Sequence, residues 1–525
     1  MGVTSFMVSI RSHHRIAQVG SAGYFAAFIA GFMVRAVPDA IAYPVPLGFN
    51  TIAYYAPVLF HFRNWGPALF LDLFYPPQFS PLVYLLMIPA ALVLNPYAVL
   101  AIFAPVLHGL LALTIYHYLK HVAQSADRVA LLGAFFVIIQ FPVLGLSLGM
   151  FSEMLAISLA ILALSLLPKV DSPPRAILLA SLLVLTGLAH QVVLLTILPC
   201  VFYQVAVRRK PSSGSGRLLL SSVPALVFLA WNFLVLQKAQ NVFPVAQGVR
   251  VWFFWSDTSS AGISPFTNYL TEFGSYSNIV LTIVGFLLFL IAPILPLLIV
   301  DRIRLPAKLQ RPSLIVVWTM AVLVLAISPI ISPRFAFGLW YLWAFALLVP
   351  LSILAFGGFA RILSSVQSKH LKVILAIAIL LPYASICGGY MTQPPERPFT
   401  YFAGSPFVNY MSTSMLANTV PLQDSVDALK LLGQLNATMG EGSVLLVHES
   451  FYGFASISMS GQKNIIDYHL GDVMSAVSYA KQIGFVRIYW IWWLPGYGWY
   501  GLVNPPPGFK VMNPSGRIAV YVFNQ

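Results

Sequence analysis

The chain has 525 residues, of which 59% are hydrophobic and only 8% are charged, and its mean hydropathy is +0.83. Soluble domains carry roughly a quarter charged residues, so this composition excludes an ordinary soluble enzyme, a disordered chain and a nucleic-acid-binding protein. The net charge of +14 then indicates how the chain is oriented in the membrane, because Lys and Arg collect in the cytoplasmic loops of membrane proteins. The apolar runs end near Tyr390. We therefore expect a transmembrane domain over 1–390 and a soluble domain over 391–525.

The apolar runs predict membrane-spanning helices, each of which needs about 20 residues. The first run, 16–34, is too long for the apolar core of a cleavable signal peptide, so we expect it to be retained as a span. The clear candidates are 16–34, 97–118, 129–146, 152–168, 218–237, 277–300, 314–330, 336–356 and 373–389.

Two further apolar runs are ambiguous. The run 80–94 is short and contains two prolines, and the run 176–207 is too long for one straight helix. If the first lies at the outer surface and the second is a hairpin that breaks near His190, the cytoplasmic segments hold 17 Lys and Arg residues and the outer loops hold five. If instead 80–94 spans the membrane and 176–207 is one helix, the Lys and Arg residues are divided more evenly between the two sides. The positive-inside rule favours the hairpin and predicts about 11 spans, a cytoplasmic N-terminus and an extracytoplasmic C-terminal domain.

In this topology most acidic residues of the transmembrane domain gather at the outer face: Asp39, Asp72, Glu153, Asp257 and Glu272. Carboxylates near a membrane are costly unless they are hydrated, paired or used. Asp257 and Glu272 can be solvated loop residues, whereas the short loop that holds Glu153 favours a functional role. If the chain is an enzyme, we expect its active site to face outward.

The longest outer loop of the front half, 35–80, is rich in proline and aromatic residues. Its stretch 51–62 has helical spacing of apolar residues, with Thr51 as a candidate helix cap. Such a loop would form amphipathic helices along the membrane surface, which suits the handling of a lipid head group. A packed loop that merely covers the helices would explain the pattern equally well.

Five motifs follow one another along the chain in a recognisable order: GFNTIAYYA (48–56), YPPQFSPL (75–82), LGMFSE (148–153), SPRF (332–335) and VHESFYGFASISMSGQKNIIDY (447–468). By their order and spacing the chain resembles the GT-C glycosyltransferases, multispan enzymes that use polyprenyl-phosphate-linked sugars. Within that superfamily it is most similar to the catalytic subunit of oligosaccharyltransferase. The resemblance covers most of the chain, and it implies a GT-C-like transmembrane domain followed by an extracytoplasmic α/β domain.

The resemblance assigns roles to three residues of the transmembrane domain. Glu153 stands in the position of the family's second-loop acid, a metal ligand, and Arg334 in that of an arginine that contacts the lipid-linked phosphate. Asn50 stands where the family has its first-loop acid, and an amide neither acts as a base nor binds a divalent metal strongly. The three-acid metal site is therefore incomplete. We predict no metal site, although a divalent metal as cofactor stays open.

In the C-terminal domain, His448, Glu449 and Tyr452 stand roughly where the family has its WWDYG motif. That motif reads the acceptor sequon and is absent here. The resemblance therefore implies substrate-binding roles for these three residues in a relative that transfers one sugar, and not a sequon-specific oligosaccharyltransferase.

The implied chemistry needs a cation for the phosphate and a carboxylate that receives the proton of the acceptor. Arg334 is the first candidate for the phosphate, although an arginine there could also cap a helix or pair with a lipid. Arg35 is the second, and snorkelling to the interface would explain it almost as well. Asp39 and Glu153 compete as the catalytic carboxylate. Asp39 precedes Asn50 by 11 residues and could replace the missing acid.

The last hundred residues alternate between helical and strand patterns. Helices are predicted over 424–439 and 472–484, and strands over 443–449, 464–468, 486–493 and 517–523. This alternation predicts a small α/β domain with a largely parallel sheet.

The sequence thus predicts a membrane glycosyltransferase that moves a sugar from a polyprenyl-phosphate-linked donor, such as a dolichol phosphate sugar, to an acceptor on the outer face. The expected partners are that donor, membrane lipids and an acceptor that could be a protein, a lipid or a glycan, but no nucleic acid. The alternative is a transporter, or a lipid-handling or scaffold protein without catalysis. A transporter should have paired half-repeats and ionisable groups at mid-membrane, whereas here nearly all spans lack charge and the acidic residues crowd one surface.

Overall fold

The structure is a computed structural model that describes residues 3–42, 45–65, 81–207, 213–236, 246, 248–254, 266–302, 313–337, 340–392, 405–407, 420–468, 473–498 and 502–523. Most of the described chain before residue 393 is helical. In chain order its helices are α1 (Val3–Ala42), a π-helix (Thr51–Tyr55) that continues as α2 (Ala56–Trp65), α3 (Pro81–Ala91), α4 (Pro96–His121), α5 (Asp127–Ile138), α6 (Phe141–Leu146), α7 (Phe151–Leu166), α8 (Pro173–Ala189), α9 (Gln191–Val207), α10 (Ser213–Leu236), α11 (Tyr269–Phe273), α12 (Tyr276–Ile291), α13 (Leu295–Arg302), α14 (Leu314–Ala326), α15 (Ser328–Ile331), α16 (Trp340–Ser365) and α17 (Lys369–Met391).

Six helical segments are long and apolar enough to cross a membrane: Ala22–Ala42, Pro96–His121, Phe151–Lys169, Gly214–Asn232, Trp340–Ser365 and Lys369–Met391. Helices α3, α8, α9, α12 and α14 are equally apolar but shorter. Each predicted span coincides with one of these helices, with one of them and a short helix beside it, or, over 129–146, with α5 and α6. The chain is therefore an integral membrane protein with a polytopic helical domain, as predicted.

Three predicted spans are each interrupted at a proline. Pro142 lies at the start of α6, just after α5, and Pro329 at the start of α15, just after α14. Pro293 lies between α12 and α13. Proline has no N–H to donate and clashes with the preceding turn, but it is well accepted in the first turn of a new helix.

The run 176–207 breaks at His190, as predicted. His190 has an extended backbone (φ −161°, ψ 112°) and separates α8 from α9. At the start of α10, Ser221 donates a hydrogen bond to the carbonyl of Ala176, near the start of α8 (3.0 Å). Helix α10 thus begins beside the start of α8.

The far end of α10 meets the break itself, because Asn232 donates to the side chain of Gln191 (2.9 Å). Helices α8 and α10 therefore run in the same direction. Cys200, farther along α9, lies beside Tyr118, and the end of α4 that holds Tyr118 faces Lys169, just before α8. Helix α9 thus returns toward the level at which α8 begins, so α8 and α9 form the predicted hairpin.

Helix α3 lies within the run 80–94, which the preferred topology keeps out of the membrane. Its 11 residues are about 16 Å long at 1.5 Å per residue, half of the roughly 30 Å thickness of the hydrocarbon core. Its length therefore agrees with that topology.

Helix α1 is longer than the predicted first span and continues through Pro38 to Ala42. Arg35 and Asp39, at the start of the predicted outer loop, therefore lie on one face of this helix, four residues apart. Asp72, Asp257 and most of the YPPQFSPL motif lie outside the described residues.

The C-terminal domain is a six-stranded sheet with helices. Its elements are β1 (Arg250–Phe254), α18 (Leu422–Thr438), β4 (Ser443–His448), α19 (Glu449–Ser458), β5 (Asn464–Tyr468), α20 (Val473–Gln482), β6 (Arg487–Trp493), β7 (Phe509–Ser515) and β8 (Ile518–Phe523); β2 (Phe266–Thr267) and β3 (Ala336–Phe337) form a separate antiparallel pair.

The strand order of this sheet is β1-β5-β4-β6-β8-β7. The pairs β1–β5, β5–β4 and β4–β6 are parallel, and β6–β8 and β8–β7 are antiparallel. The predicted largely parallel α/β sheet is thus confirmed. The sequence analysis did not anticipate α19, β7 or β1, and β1 comes from the segment between α10 and α11.

Residues 45–65, which we call the first loop, join the two parts of the protein. Gly453 of α19 packs so closely that a Cβ there would lie 2.3 Å from the carbonyl oxygen of Ile52. On α2, the side chain of His61 donates from Nε2 to the carbonyl of Ser456 (2.7 Å). Helix α19 follows the carboxyl end of β4, so this end of the parallel strands faces the membrane domain.

The first loop is covered on both faces, since most of its residues from Thr51 to His61 are buried. The predicted helix over 51–62 is present as the π-helix and α2, but it does not lie on the membrane surface with one face free. Thr51 is not a helix cap, and Asn50 precedes the π-helix without a side-chain cap.

The bond from His61 predicts a pH dependence of stability. Burial lowers the pKa of His61 below its ordinary value of 6.5, against the smaller opposing effect of its bond to Ser456. The unfolded chain then binds a proton more readily than the folded one, so this contribution to stability is lost as the pH falls below about 6.5. We expect the melting temperature of the full-length protein to fall more steeply from pH 7 to pH 5 than that of His61→Gln. Equal slopes would contradict this role of His61.

Candidate functional site

Residues 147–153 run from the end of α6 into the first turn of α7, and we call them the junction segment. Its last residue, Glu153, lies in that first turn in a partly enclosed position, with its side chain 18% exposed. The hydroxyl of Ser152 donates to Glu153 Oε2 (2.7 Å), and His190 Nε2 lies 3.3 Å from Glu153 Oε1. The hairpin break between α8 and α9 therefore brings an imidazole to the carboxylate.

The first loop packs directly on the junction segment. The hydroxyl of Thr51 donates to the carbonyl of Leu148 (3.1 Å), and the backbone N–H of Ser152 donates to the hydroxyl of Tyr55 (3.4 Å). The ring of Tyr55 stacks on that of Phe151, with centroids 4.7 Å apart. The structure thus brings the GFNTIAYYA and LGMFSE motifs into contact.

Arg35 and Asp39 form a buried ion pair at the other end of the junction segment. Arg35 Nη1 lies 2.5 Å from Asp39 Oδ2, and the side chains are 0% and 4% exposed. Arg35 Nε also donates to the carbonyl of Ser147 (3.4 Å). The two residues neutralise each other within the bundle, and Arg35 helps to position the junction segment.

Of the two predicted catalytic carboxylates, Glu153 therefore lies at one end of the junction segment, and Asp39 of α1 is linked to the other end through Arg35. Their surroundings differ, because Asp39 is enclosed with an arginine whereas Glu153 faces a histidine and a serine and keeps partial access.

Arg334 lies in an exposed turn between α15 and β3. The backbone of this turn is held by the N–H of Tyr269, which donates to the carbonyl of Pro333 (2.8 Å). Helix α16 follows shortly after, and its Trp343 packs against His190 with ring centroids 5.7 Å apart. Arg334 thus belongs to the end of the bundle that holds the Glu153–His190 pair, without contacting that pair in the described residues.

Asn50 is half-buried at the start of the π-helix. Four residues later, Tyr54 faces the C-terminal domain. Burial raises the pKa of Tyr54, and the negative charges of Asp467 and Glu449 raise it further. The first loop therefore meets acidic groups of the C-terminal domain on one side and the junction segment on the other.

The three predicted residues of the C-terminal domain cluster at the carboxyl end of β4. His448 is buried and caps α19, where its Nδ1 accepts from the N–H of Ser450 (3.2 Å). Glu449 is half-buried, and Tyr452 is buried, with its pKa raised by burial first and by Asp467 to a lesser degree. His448 thus has a structural part in this helix cap, while Glu449 faces the first loop.

Sequence reasoning gave little weight to His190 and none to Tyr55, although both contact the junction segment. His190 was visible only as a polar residue at the hairpin break, and nothing in the sequence pairs it with Glu153. Within the described ranges, no three His, Cys, Asp or Glu side chains gather as a metal site would require.

The contact between the first loop and the junction segment predicts the effect of a substitution at Gly48. Its φ is +108°, and a Cβ there would lie 1.3 Å from the carbonyl oxygen of Leu148. We expect Gly48→Ala to displace the first loop and to lower the melting temperature of the full-length protein. Gly442→Ala is the matched control, because Gly442 also has a positive φ (+76°) but open space around it. The control should be destabilised only by the strain of its backbone, about 1–3 kcal/mol. An equal loss of stability in both variants would refute the close packing at Gly48.

Comparison with known proteins gives a likeness of structure. No protein-family model and no curated protein matches the chain. The chain is similar to the crystal structure of ArnT from Cupriavidus metallidurans in the apo state, with 13% identity, a TM-score of 0.50 and coverage of 96% of this chain and 98% of that one. It is also similar to the Archaeoglobus fulgidus oligosaccharyltransferase tethered to an acceptor peptide with the NVT sequon, with 13% identity, a TM-score of 0.44 and coverage of 90% and 69%. The chain thus shares the fold of ArnT over nearly its whole length.

Proposed function

We propose that this protein is a membrane glycosyltransferase that transfers a sugar from a polyprenyl-phosphate-linked donor to an acceptor. The transfer takes place at the end of the bundle that meets the C-terminal domain, which we assign to the extracytoplasmic side, with the N-terminus in the cytoplasm. The observation that carries the proposal is the Glu153–His190 pair, a partly accessible acid–base pair at that end of a GT-C fold.

Of the two candidate carboxylates, Glu153 is the better placed for chemistry. The acceptor must lose a proton as it attacks the sugar, and a carboxylate that is accessible or acts through a neighbour can assist. Asp39 is committed to Arg35 and almost fully enclosed. We assign Glu153 to assisting the loss of that proton and the Arg35–Asp39 pair to holding the junction segment, with Arg35 as a less accessible candidate for the donor phosphate.

Arg334 is the candidate that binds the phosphate of the donor. It is exposed at the relevant end of the bundle, and no hydrogen bond or ion pair engages it within the described part of the chain. A guanidinium matches the geometry of a phosphate group and stabilises the charge that develops on the leaving group. The leaving group is already a good one, so a divalent metal is optional.

Glu449 and Tyr452 lie near Tyr54 of the first loop, and Asn50 precedes the π-helix that holds Tyr54. We propose that the contact between the first loop and the C-terminal domain borders the acceptor site and that these three residues bind substrate there. His448 supports it from behind as the cap of α19. Membrane lipids surround the apolar helices.

The first test measures transfer by the two carboxylate variants. We expect Glu153→Gln to lower transfer from a labelled polyprenyl-phosphate sugar at least about 100-fold with an unchanged melting temperature. Asp39→Asn should also abolish transfer but should lower the melting temperature, because Arg35 then stays buried without its charged partner. Asp171→Asn is the control, since Asp171 is exposed and pairs with Arg175 near the start of α8, away from the site.

The readout is the label that leaves the polyprenyl fraction when the purified protein is incubated with host membranes as the source of acceptor. Wild-type activity in Glu153→Gln would remove Glu153 from the mechanism. A wild-type protein that transfers none of the polyprenyl-phosphate sugars would favour the lipid-handling or scaffold alternative.

The second test concerns Arg334. We expect Arg334→Ala to raise the KM for the donor about tenfold or more, since it removes a phosphate contact worth about 1.5–3 kcal/mol, and Arg334→Lys to restore part of it. Arg128→Ala is the control, because Arg128 is an exposed arginine at the start of α5. An unchanged KM in Arg334→Ala would show that the phosphate binds elsewhere.

A further inference from the structure

The imidazole of His190 has two ring nitrogens in different situations. Nε2 lies 3.3 Å from Glu153 Oε1, and Nδ1 is buried and has no hydrogen-bond partner among the described residues. Trp343 of α16 packs against the ring, and the helix break fixes the backbone at this residue. The imidazole of His190 is therefore fixed in position, and its Nδ1 has no hydrogen-bond partner among the described residues.

The pairing with Glu153 determines the tautomer. A carboxylate only accepts hydrogen bonds, so Nε2 carries the hydrogen. In the neutral ring, Nδ1 then presents a lone pair. Tyr55, on the π-helix, is the other titratable group that lies against Glu153, while Trp343 of α16 and Asn232 of α10 bring no charge.

A second buried acceptor belongs to the residue that contacts Gln191, next to His190 in the chain. Asn232 uses its amide N–H to bind the side chain of Gln191, the residue after His190, and its Oδ1 is buried without a partner among the described residues. A buried acceptor that stays unpaired costs about 1–3 kcal/mol. Two such acceptors at one helix break fit a ligand that brings hydroxyl groups.

We propose that His190 is the catalytic base and that the acceptor is a hydroxyl compound; this inference rests on the proposed function. The acceptor hydroxyl gives its proton to His190 Nδ1 as its oxygen forms a bond to the anomeric carbon of the donor sugar. The bond from that carbon to the phosphate oxygen breaks, and the polyprenyl phosphate leaves with the electron pair. The proton stays on the imidazole until it is released after the transfer.

In this scheme Glu153 is a positioning residue. It holds the ring in the tautomer that leaves Nδ1 free and stabilises the imidazolium that forms, which is the logic of a carboxylate–histidine pair in hydrolases. Asn232 Oδ1 accepts a second hydroxyl of the acceptor and orients it.

The experiment compares His190→Gln and His190→Ala with the wild type in the transfer assay between pH 5 and pH 8. We expect kcat to fall at least about 100-fold with KM within about threefold, because both variants lack the group that accepts the proton. Added imidazole should restore His190→Ala at least about tenfold. A purely structural role would give no such rescue. Asn232→Ala should raise the KM for the acceptor.

His370→Gln and His370→Ala are the matched controls, since His370 is exposed near the start of α17, and neither should change activity or respond to imidazole. If the wild type transfers sugar while His190→Gln keeps its rate and pH profile, or imidazole fails to rescue His190→Ala, His190 is not the base and the proposed function stands. If the wild type transfers no sugar at all, the proposed function fails and this role of His190 fails with it.

Discussion

The junction segment between α6 and α7 is the constraint on which the rest of the site depends. Its two ends and its middle contact different elements: Ser147 binds Arg35 of α1, Leu148 accepts from the first loop, and Glu153 meets the hairpin break at His190. Two of these contacts are made to backbone carbonyls, which are present in any sequence. The side chains that donate to them, Arg35 and Thr51, therefore determine the arrangement. A shift of this segment would move both carboxylates, the first loop and the imidazole together.

The position of the C-terminal domain follows from the same contacts. The parallel strands end toward the membrane domain, where β4 leads into α19, and α19 packs on the π-helix of the first loop. The π-helix in turn rests on the junction segment. The close approach of Gly453 to Ile52 leaves no room for a side chain, so at this point the two parts meet through backbone, beside the side-chain bond from His61 to Ser456. Such a contact transmits small displacements in either direction.

The sequence predicted the features that depend on local composition. Apolar length located the spans, charge predicted the hairpin at His190, and alternation located most strands of the sheet. Prediction from the sequence failed where contacts between distant parts of the chain determine the structure. Helix α1 continues through Pro38, which places Asp39 beside Arg35, because the helix is stabilised by its neighbours and not by its own residues. The pairing of Glu153 with His190 joins two helices whose contact no local pattern encodes. Strand β1 was missed because it is short and its partner lies more than 200 residues later.

The two places at which the membrane domain is attached to the soluble domain restrict how the chain can thread the bilayer. The first loop contacts α19, and β1 is a strand of the sheet, so both attachment points lie on the same side, and the number of crossings between them is even. If α4, α5–α6, α7, α8, α9 and α10 each cross once, as the predicted spans have it, they make six crossings. A crossing by α3 as well would make seven and separate two segments that touch one domain. From β1 to α18, single crossings by α12–α13, α14–α15, α16 and α17 would make four and return the chain to that side. Parity thus gives the predicted topology a test that uses no count of charges.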